Sequence, residues 1–215
     1  FLTLLTSYLL VTNHKISIKE DFIFEIKQGA SLQEVTNELD KMDLITSNLL
    51  FKLNAKIHNI EKRIKAGEYL LSKSESIFTL QRKFIEGDVF YRKLQFLEGM
   101  TTRDIFELGN SEGIIDDING DLEVLKFKLN IIGQTEGLFF PDTFYYKKGD
   151  LFSSLLKRAF DKQKIVYLDL WDSRQEGLPY TSFIEAITLA SIIEKEGLEK
   201  EMIAGVFMNR LRKNM

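Results

Sequence analysis

Residues Ser182 to Lys213, SFIEAITLASIIEKEGLEKEMIAGVFMNRLRK, constrain the fold more than any other stretch. Ser182 and Glu185 form an S-x-x-E capping box ahead of an apolar run. Gly197 suits the left-handed residue that often closes a helix. A helix is therefore predicted over about Phe183 to Glu196, with a second after the glycine. At about 100° per residue, Phe183, Ile187 and Ala190 share a stripe flanked by Ala186, Leu189 and Ile193, and Glu194 projects into that arc. A carboxylate on an inward stripe is costly unless it is paired or neutral, and desolvation favours the protonated form. A protonated carboxyl can act as a general acid. The residue alone leaves two readings open: that acid, or a helix-end Glu that bends out to water.

The second helix repeats the pattern. Met202, Ile203, Val206, Phe207 and Leu211 form its apolar arc, with Arg210 inside it and Asn209 on its edge. An inward Arg needs an anion or carbonyls, supplied by a structural partner or by a substrate. Polar groups on the buried sides of adjacent helices suggest a shared cleft.

Composition narrows the chemistry of such a cleft. The chain has no Cys and two His, at positions 14 and 58, which leaves no thiol chemistry and disfavours a His-based triad or a multi-His metal site. The net charge of −3 carries no basic excess pointing to nucleic acid. Carboxylates, hydroxyls, Lys, Arg and aromatics remain. At 215 residues the chain accommodates one or two domains. It lacks an initiating Met and stops at Met215 just past a helix, which reads as a fragment.

Taken in order, Phe1 to Val11 is apolar and uncharged but shorter than the roughly 20 residues that span a bilayer. It is either the outer end of an anchor or an ordinary buried element. Partial alternation over Ile16 to Ile26 predicts strands. Helices are expected over SLQEVTNELDKM from Ser31, over Ser47 to Ile57 with Leu49, Leu50, Leu53 and Ile57 inward, and over Ser76 to Glu86. Gly67 to Leu71 and Val89 to Phe96 read as strands, completing a small α+β module. FLEGMTTRDIFELG echoes FEIKQGASLQEVTNEL in its order of strand, Gly, hydroxyl cap and helix. The echo is either two glycan-binding-like units or simply two strand–helix connections. Between positions 110 and 135, Asp116, Asp117, Asp121 and Glu123 read as a solvated acidic face around helices.

Thr135 to Asp150, TEGLFFPDTFYYKKGD, gathers Phe139, Phe140, Phe144, Tyr145 and Tyr146 around Pro141, with the acids Glu136 and Asp142. Aromatic faces stack on sugar C–H surfaces and nearby acids accept sugar hydroxyls. Tyr145, Glu136 and Asp142 are the better groove candidates here, and Phe139 and Phe140 the better core candidates. A core strand and turn is the alternative. Leu151 to Leu170 reads as a helix with Leu155, Leu156, Ala159, Phe160 and Val166 on its core side.

EGLFFPDTFYY, GLPY, ITLASIIEKEG and VFMNRLRKNM occur in the order and spacing of the MltG (YceG-like) family, bacterial endolytic murein transglycosylases, which the chain resembles from about Leu94 to Met215. The resemblance implies an α+β fold: residues 1–20 as the end of a membrane anchor and linker, 21–90 as a small LysM-like subdomain, and 91–215 as a mixed α/β catalytic domain with a helical C-terminal part. It implies a lyase that cuts MurNAc-GlcNAc β-1,4 bonds within peptidoglycan strands and leaves 1,6-anhydroMurNAc ends. Glu194, the first Glu of the EKE motif, is the implied catalytic residue. Glu136, Asp142, Tyr145, Glu196, Asn209 and Arg210 are the expected substrate contacts. No cofactor or metal is implied. Glycan strands are the expected partner, with cell-wall synthesis machinery from the family alone. The expected location is the bacterial cytoplasmic membrane, single-pass, with the catalytic part on its outer side. The Leu-Gln-Thr-Asp-Pro-type stretch that follows NRLR in the family is not in this chain, so an incomplete cleft is expected. A non-catalytic peptidoglycan-binding or scaffold protein is the competing class.

Overall fold

The structure, a computed structural model, describes residue 18 and residues 20–215 except 46, 74 and 113. The expected anchor lies outside the described residues. Among the described residues, no helix is long and apolar enough to cross a membrane. The chain divides into two compact units, one ending at Tyr91 and one beginning at Arg92.

The first unit runs β1 (Phe22–Ile26), α1 (Leu32–Lys41), α2 (Asn48–Ile57), β2 (Gly67–Leu71) and α3 (Ile77–Glu86). β1 pairs antiparallel with β2, Phe24 opposite Tyr69. Alternation sends Phe24 and Ile26 inward and leaves Ile23 exposed. The Phe84 ring from α3 lies 5.9 Å from Phe24 and 4.8 Å from Tyr69, forming an aromatic centre for this core. The Tyr69 hydroxyl donates to the Lys65 carbonyl at 2.7 Å, which satisfies the polar end of a buried ring.

The face of α2 differs from expectation. Phe51, Asn54 and Ala55 are buried, while Leu49 is 75% exposed and Leu53 and Ile57 are also exposed. Burying the Phe51 ring, with small Ala55 one turn on, removes large apolar area at close helix approach. The Gln81 amide, which donates to the Phe51 carbonyl at 3.0 Å, fixes that orientation from a different helix.

The second unit runs β3 (Arg92–Gln95), α4 (Thr102–Ser111), α5 (Leu122–Leu129), β4 (Thr143–Tyr146), α6 (Phe152–Asp172), α7 (Phe183–Glu196) and α8 (Lys200–Arg212). β3 pairs antiparallel with β4, Leu94 opposite Phe144. Phe96 and Phe144 are 5.2 Å apart, and Phe106 and Phe152 are 6.0 Å apart, in a core that also holds Leu155, Leu156 and Ala159. Gly109 lets α4 meet α6: a Cβ there would stand 2.5 Å from the Phe152 ring.

Both units open with the same order of strand, two helices, returning strand and helix. Gly29 (φ 79°) and Gly99 (φ 77°) make corresponding left-handed turns. Ser31 with Glu34 and Thr101 with Asp104 then close corresponding capping boxes.

Asp121 and Glu123 are exposed, as a solvated face requires, but Asp116, Asp117 and Asp121 also bond backbone amides. Asp116 accepts from the Ile118 and Asn119 amides, each at 2.9 Å. Asp121 caps α5 through the Glu123 amide at 2.8 Å. Leu151 precedes α6 and has no side chain able to cap it; Asp117 supplies the cap from afar, accepting from the Ser153 amide at 2.9 Å and its hydroxyl at 2.6 Å. Gly197 departs from the expected left-handed closure: its φ of 160° and ψ of −169° are extended backbone. The apolar arc of α8 is not covered either. None of its described residues is buried, and Met202 is 66% exposed.

Candidate active site

α7 begins where its sequence says it should. The Glu185 amide donates to the Ser182 hydroxyl at 3.3 Å, and the Glu185 carboxylate accepts from the Ser182 amide at 3.2 Å and the Thr181 amide at 2.7 Å. Those amides hold the Glu185 carboxyl below the usual carboxylate range. With the start set, the helical repeat fixes where each side chain points. Phe183, Ile187, Ala190 and Glu194 all line one cavity of about 500 Å³.

Three other segments of the second unit complete the walls: the turn after β3 from Phe96 to Thr101, the segment before β4 with Glu136, Gly137, Phe139 and Phe140, and α6 through Gln163, Val166, Tyr167 and Leu170. They meet α7 at successive heights. A Cβ on Gly99 would lie 3.0 Å from Lys195 Cε, and one on Gly137 would lie 2.5 Å from Ile187 Cγ2. At the start of the helix, the Phe183 ring lies 3.9 Å from the Tyr167 ring. Gly137 combines a φ of 76° with that close approach, so any side chain there is both strained and obstructed.

Glu194 is not sealed among apolar groups. Its side chain is 32% exposed and pairs through Oε2 with the Lys200 ammonium, from the first residue of α8. The stripe that carries it faces an open cavity rather than the core, and Leu189 alone of the helix is buried. Lys200 supplies the compensation that apolar surroundings would have made necessary.

Glu136 shares this cavity. Its carboxylate accepts from the Thr102 amide at 3.0 and 3.3 Å, capping the N-terminus of α4, where an anion is favoured. The other expected contacts do not line the cavity. Asp142 pairs with Lys162 and accepts from the Thr143 amide at 2.7 Å; the Lys162 bond, with help from that amide, holds its carboxyl below the usual range. Tyr145 is 58% exposed, and Arg158 donates to its backbone carbonyl at 2.7 Å. Glu196, Asn209 and Arg210 are exposed, with the Arg210 guanidinium 5.9 Å from the Phe207 ring rather than inside a covered arc.

The aromatic segment is also reassigned. Phe139 is buried in the core of the second unit as expected and also borders the cavity, while Phe140, only half-buried, lines it; Tyr146 is buried and donates to the Glu112 carbonyl at 3.0 Å. Lys200 and Tyr167 were not anticipated. Tyr167 had a signal: Gln163, Val166, Tyr167 and Leu170 continue the apolar stripe of α6 past its buried half.

The model of the YceG-like family matches residues 24–215. The chain is 27% identical to an endolytic murein transglycosylase of Streptococcus pneumoniae R6, over 88% of this chain and 40% of that protein. It is 26% identical to an endolytic murein transglycosylase of Bacillus subtilis 168, over 88% of this chain and 59% of that protein. A crystal structure of a YceG-like protein from Listeria monocytogenes matches with a TM-score of 0.41 and 23% identity, over 92% of this chain and 72% of that one. The chain thus spans less than two thirds of the length of the two transglycosylases it matches.

Proposed function

The chain belongs to the YceG-like family, and on that premise we propose that it is an endolytic murein transglycosylase whose general acid and base is Glu194. The observation that carries this reading is the placement of Glu194 on the cavity-lining stripe of α7, where its carboxylate reaches a groove walled by aromatic rings. The relatives' names supply the substrate class, peptidoglycan.

The chemistry needs one carboxyl where a hydrolase needs two. Glu194, protonated, gives its proton to the glycosidic oxygen, and the bond from C1 of MurNAc to that oxygen breaks. The departing GlcNAc keeps the proton as its 4-hydroxyl. Glu194, now a carboxylate, takes the proton of the MurNAc 6-hydroxyl as that oxygen bonds to C1. The 1,6-anhydro ring closes, Glu194 is protonated again, and no water is consumed. Lys200 bonds Oε2 and holds the carboxyl in place; its ammonium favours the carboxylate formed in the first half of the cycle, so the acid form is taken up as the glycan enters and desolvates the groove. The cation developing on the sugar is stabilised by the substrate's own acetamido group or by Glu136. Residues 21–90 are proposed to act as a LysM-like glycan-holding part and 91–215 as the catalytic part, tethered outside the cytoplasmic membrane by the segment before them.

The test is digestion of purified sacculi, with mass spectrometry for anhydro-muropeptides. The unaltered protein is expected to release them. Glu194→Gln, which keeps size and removes the proton, is expected to release at least about 100-fold fewer while still binding. Binding by both proteins with cleavage by neither would replace the enzyme by a binding module.

A further inference from the structure

The groove continues well past the acid. Phe183 and Glu194 stand eleven residues apart on α7, about 16 Å at about 1.5 Å per residue, and both line the same cavity. At the Phe183 end, the Tyr167 ring packs against Phe183 with 3.9 Å between centroids and 42° between planes. Trp171, one turn further along α6, lies 6.2 Å from Tyr167, and the Arg174 guanidinium covers it at 4.2 Å. These rings stand apart from the buried core cluster of the second unit. Each is half-buried, so each keeps surface to offer a ligand.

A pyranose ring has an apolar C–H face and a polar rim, and a tilted aromatic pair edged by a phenol and a guanidinium matches both. A polymer cut within its length extends to either side of the acid, and a carboxyl at one end of a long groove leaves the other end for the uncut strand. Resting on the reading of this groove as a glycan cleft, we propose that Tyr167 and Phe183, with Trp171 beside them, form a remote sugar-stacking subsite that makes binding depend on strand length.

Trp171 is the chain's single Trp, so the platform carries its own fluorescent reporter. Glu194→Gln protein would be titrated with peptide-free oligosaccharides of alternating GlcNAc and MurNAc, short ones confined to the acid's end and long ones spanning the groove. Long strands are expected to change Trp171 emission and to bind about ten-fold tighter than short ones, the amount one good stacking contact contributes. Adding Tyr167→Ala should remove the length advantage while short-strand affinity and circular dichroism stay unchanged. Tyr167→Phe, which keeps the ring, should preserve it. A length advantage that survives Tyr167→Ala, or affinity that saturates with the short strands, would overturn the subsite and leave the glycan cleft standing. Failure of every variant to bind strands of any length would overturn both.

Discussion

Lys200 stands six residues beyond Glu194 across the break at Gly197, and no helical periodicity connects the two. The extended backbone at Gly197 lets α8 begin where its first ammonium meets the last turn of α7. In the proposed cycle Lys200 touches the acid rather than the sugar, so it positions the acid. Lys200→Met is therefore expected to lower kcat on soluble glycan strands by about ten-fold with little change in KM, because a misplaced acid slows the chemical step more than it weakens binding. Lys200→Arg, which keeps a cation within reach, should restore most of the rate. Equal losses in both variants, or a change confined to KM, would remove that role. Glu136 illustrates the converse problem. Its place in the aromatic segment was plain in the sequence, but its bond to the Thr102 amide joins residues 34 positions apart and needed the fold to be seen.

At the scale of elements, the capping box of Ser182 with Glu185 was legible because its partners lie three residues apart, and it is present. The same geometry recurs at Ser31 with Glu34 and at Thr101 with Asp104. The cap on α6 was not legible, because Asp117 reaches it from 36 residues away. Burial alone would push the Asp117 carboxyl up; the bonds from Lys128 and Ser153 outweigh it and hold it at about 2, against an ordinary 3.8. A carboxyl lowered by folding adds stability above its unfolded value, and that stability is lost as pH falls through the folded one. The shift corresponds to about 2 kcal/mol near neutral pH. Asp117→Asn is accordingly expected to lower the unfolding free energy by about 2 kcal/mol at neutral pH and by much less near pH 2, as urea titrations at the two conditions would measure. An equal loss at both would mean that the charge contributes nothing. The inverted face of α2 has a similar cause: two stripes were available, and packing of Phe51 and Ala55 into the core of the first unit, where Gln81 of α3 also bonds the Phe51 carbonyl, decided between them.

At the scale of the molecule, each unit closes its own core. The first holds Phe24, Tyr69 and Phe84; the second holds Leu94, Phe144 and Leu155. Residues 20–91 expressed alone are therefore expected to unfold cooperatively on heating, followed by far-ultraviolet circular dichroism. Phe24→Ala should cost about 3–5 kcal/mol and abolish that transition, since a domain this small has little stability to spare. A gradual melt of the unaltered fragment would show that the core does not close unaided. The repeated order of strand, two helices, strand and helix is the other feature at this scale. Its local part, the glycine turn followed by a hydroxyl cap, was visible as an echo between the two segments. The return of β2 in the first unit was expected as well; the pairing of β4 with β3 was not, because it spans more than forty residues.

What the sequence determined by itself was local: where helices start, which side chains share a stripe, and which motifs mark the family. Such features depend on neighbours within a turn or two, whose geometry the backbone repeat already specifies. The tertiary structure decided what each stripe faces. It turned the stripe of Phe183, Ile187, Ala190 and Glu194 toward an open groove rather than a core, put Phe140 rather than Tyr145 in the lining, and brought Lys200 to Glu194. A helix presents the same surface whether protein or solvent lies against it, and only the packing of the other elements makes that choice.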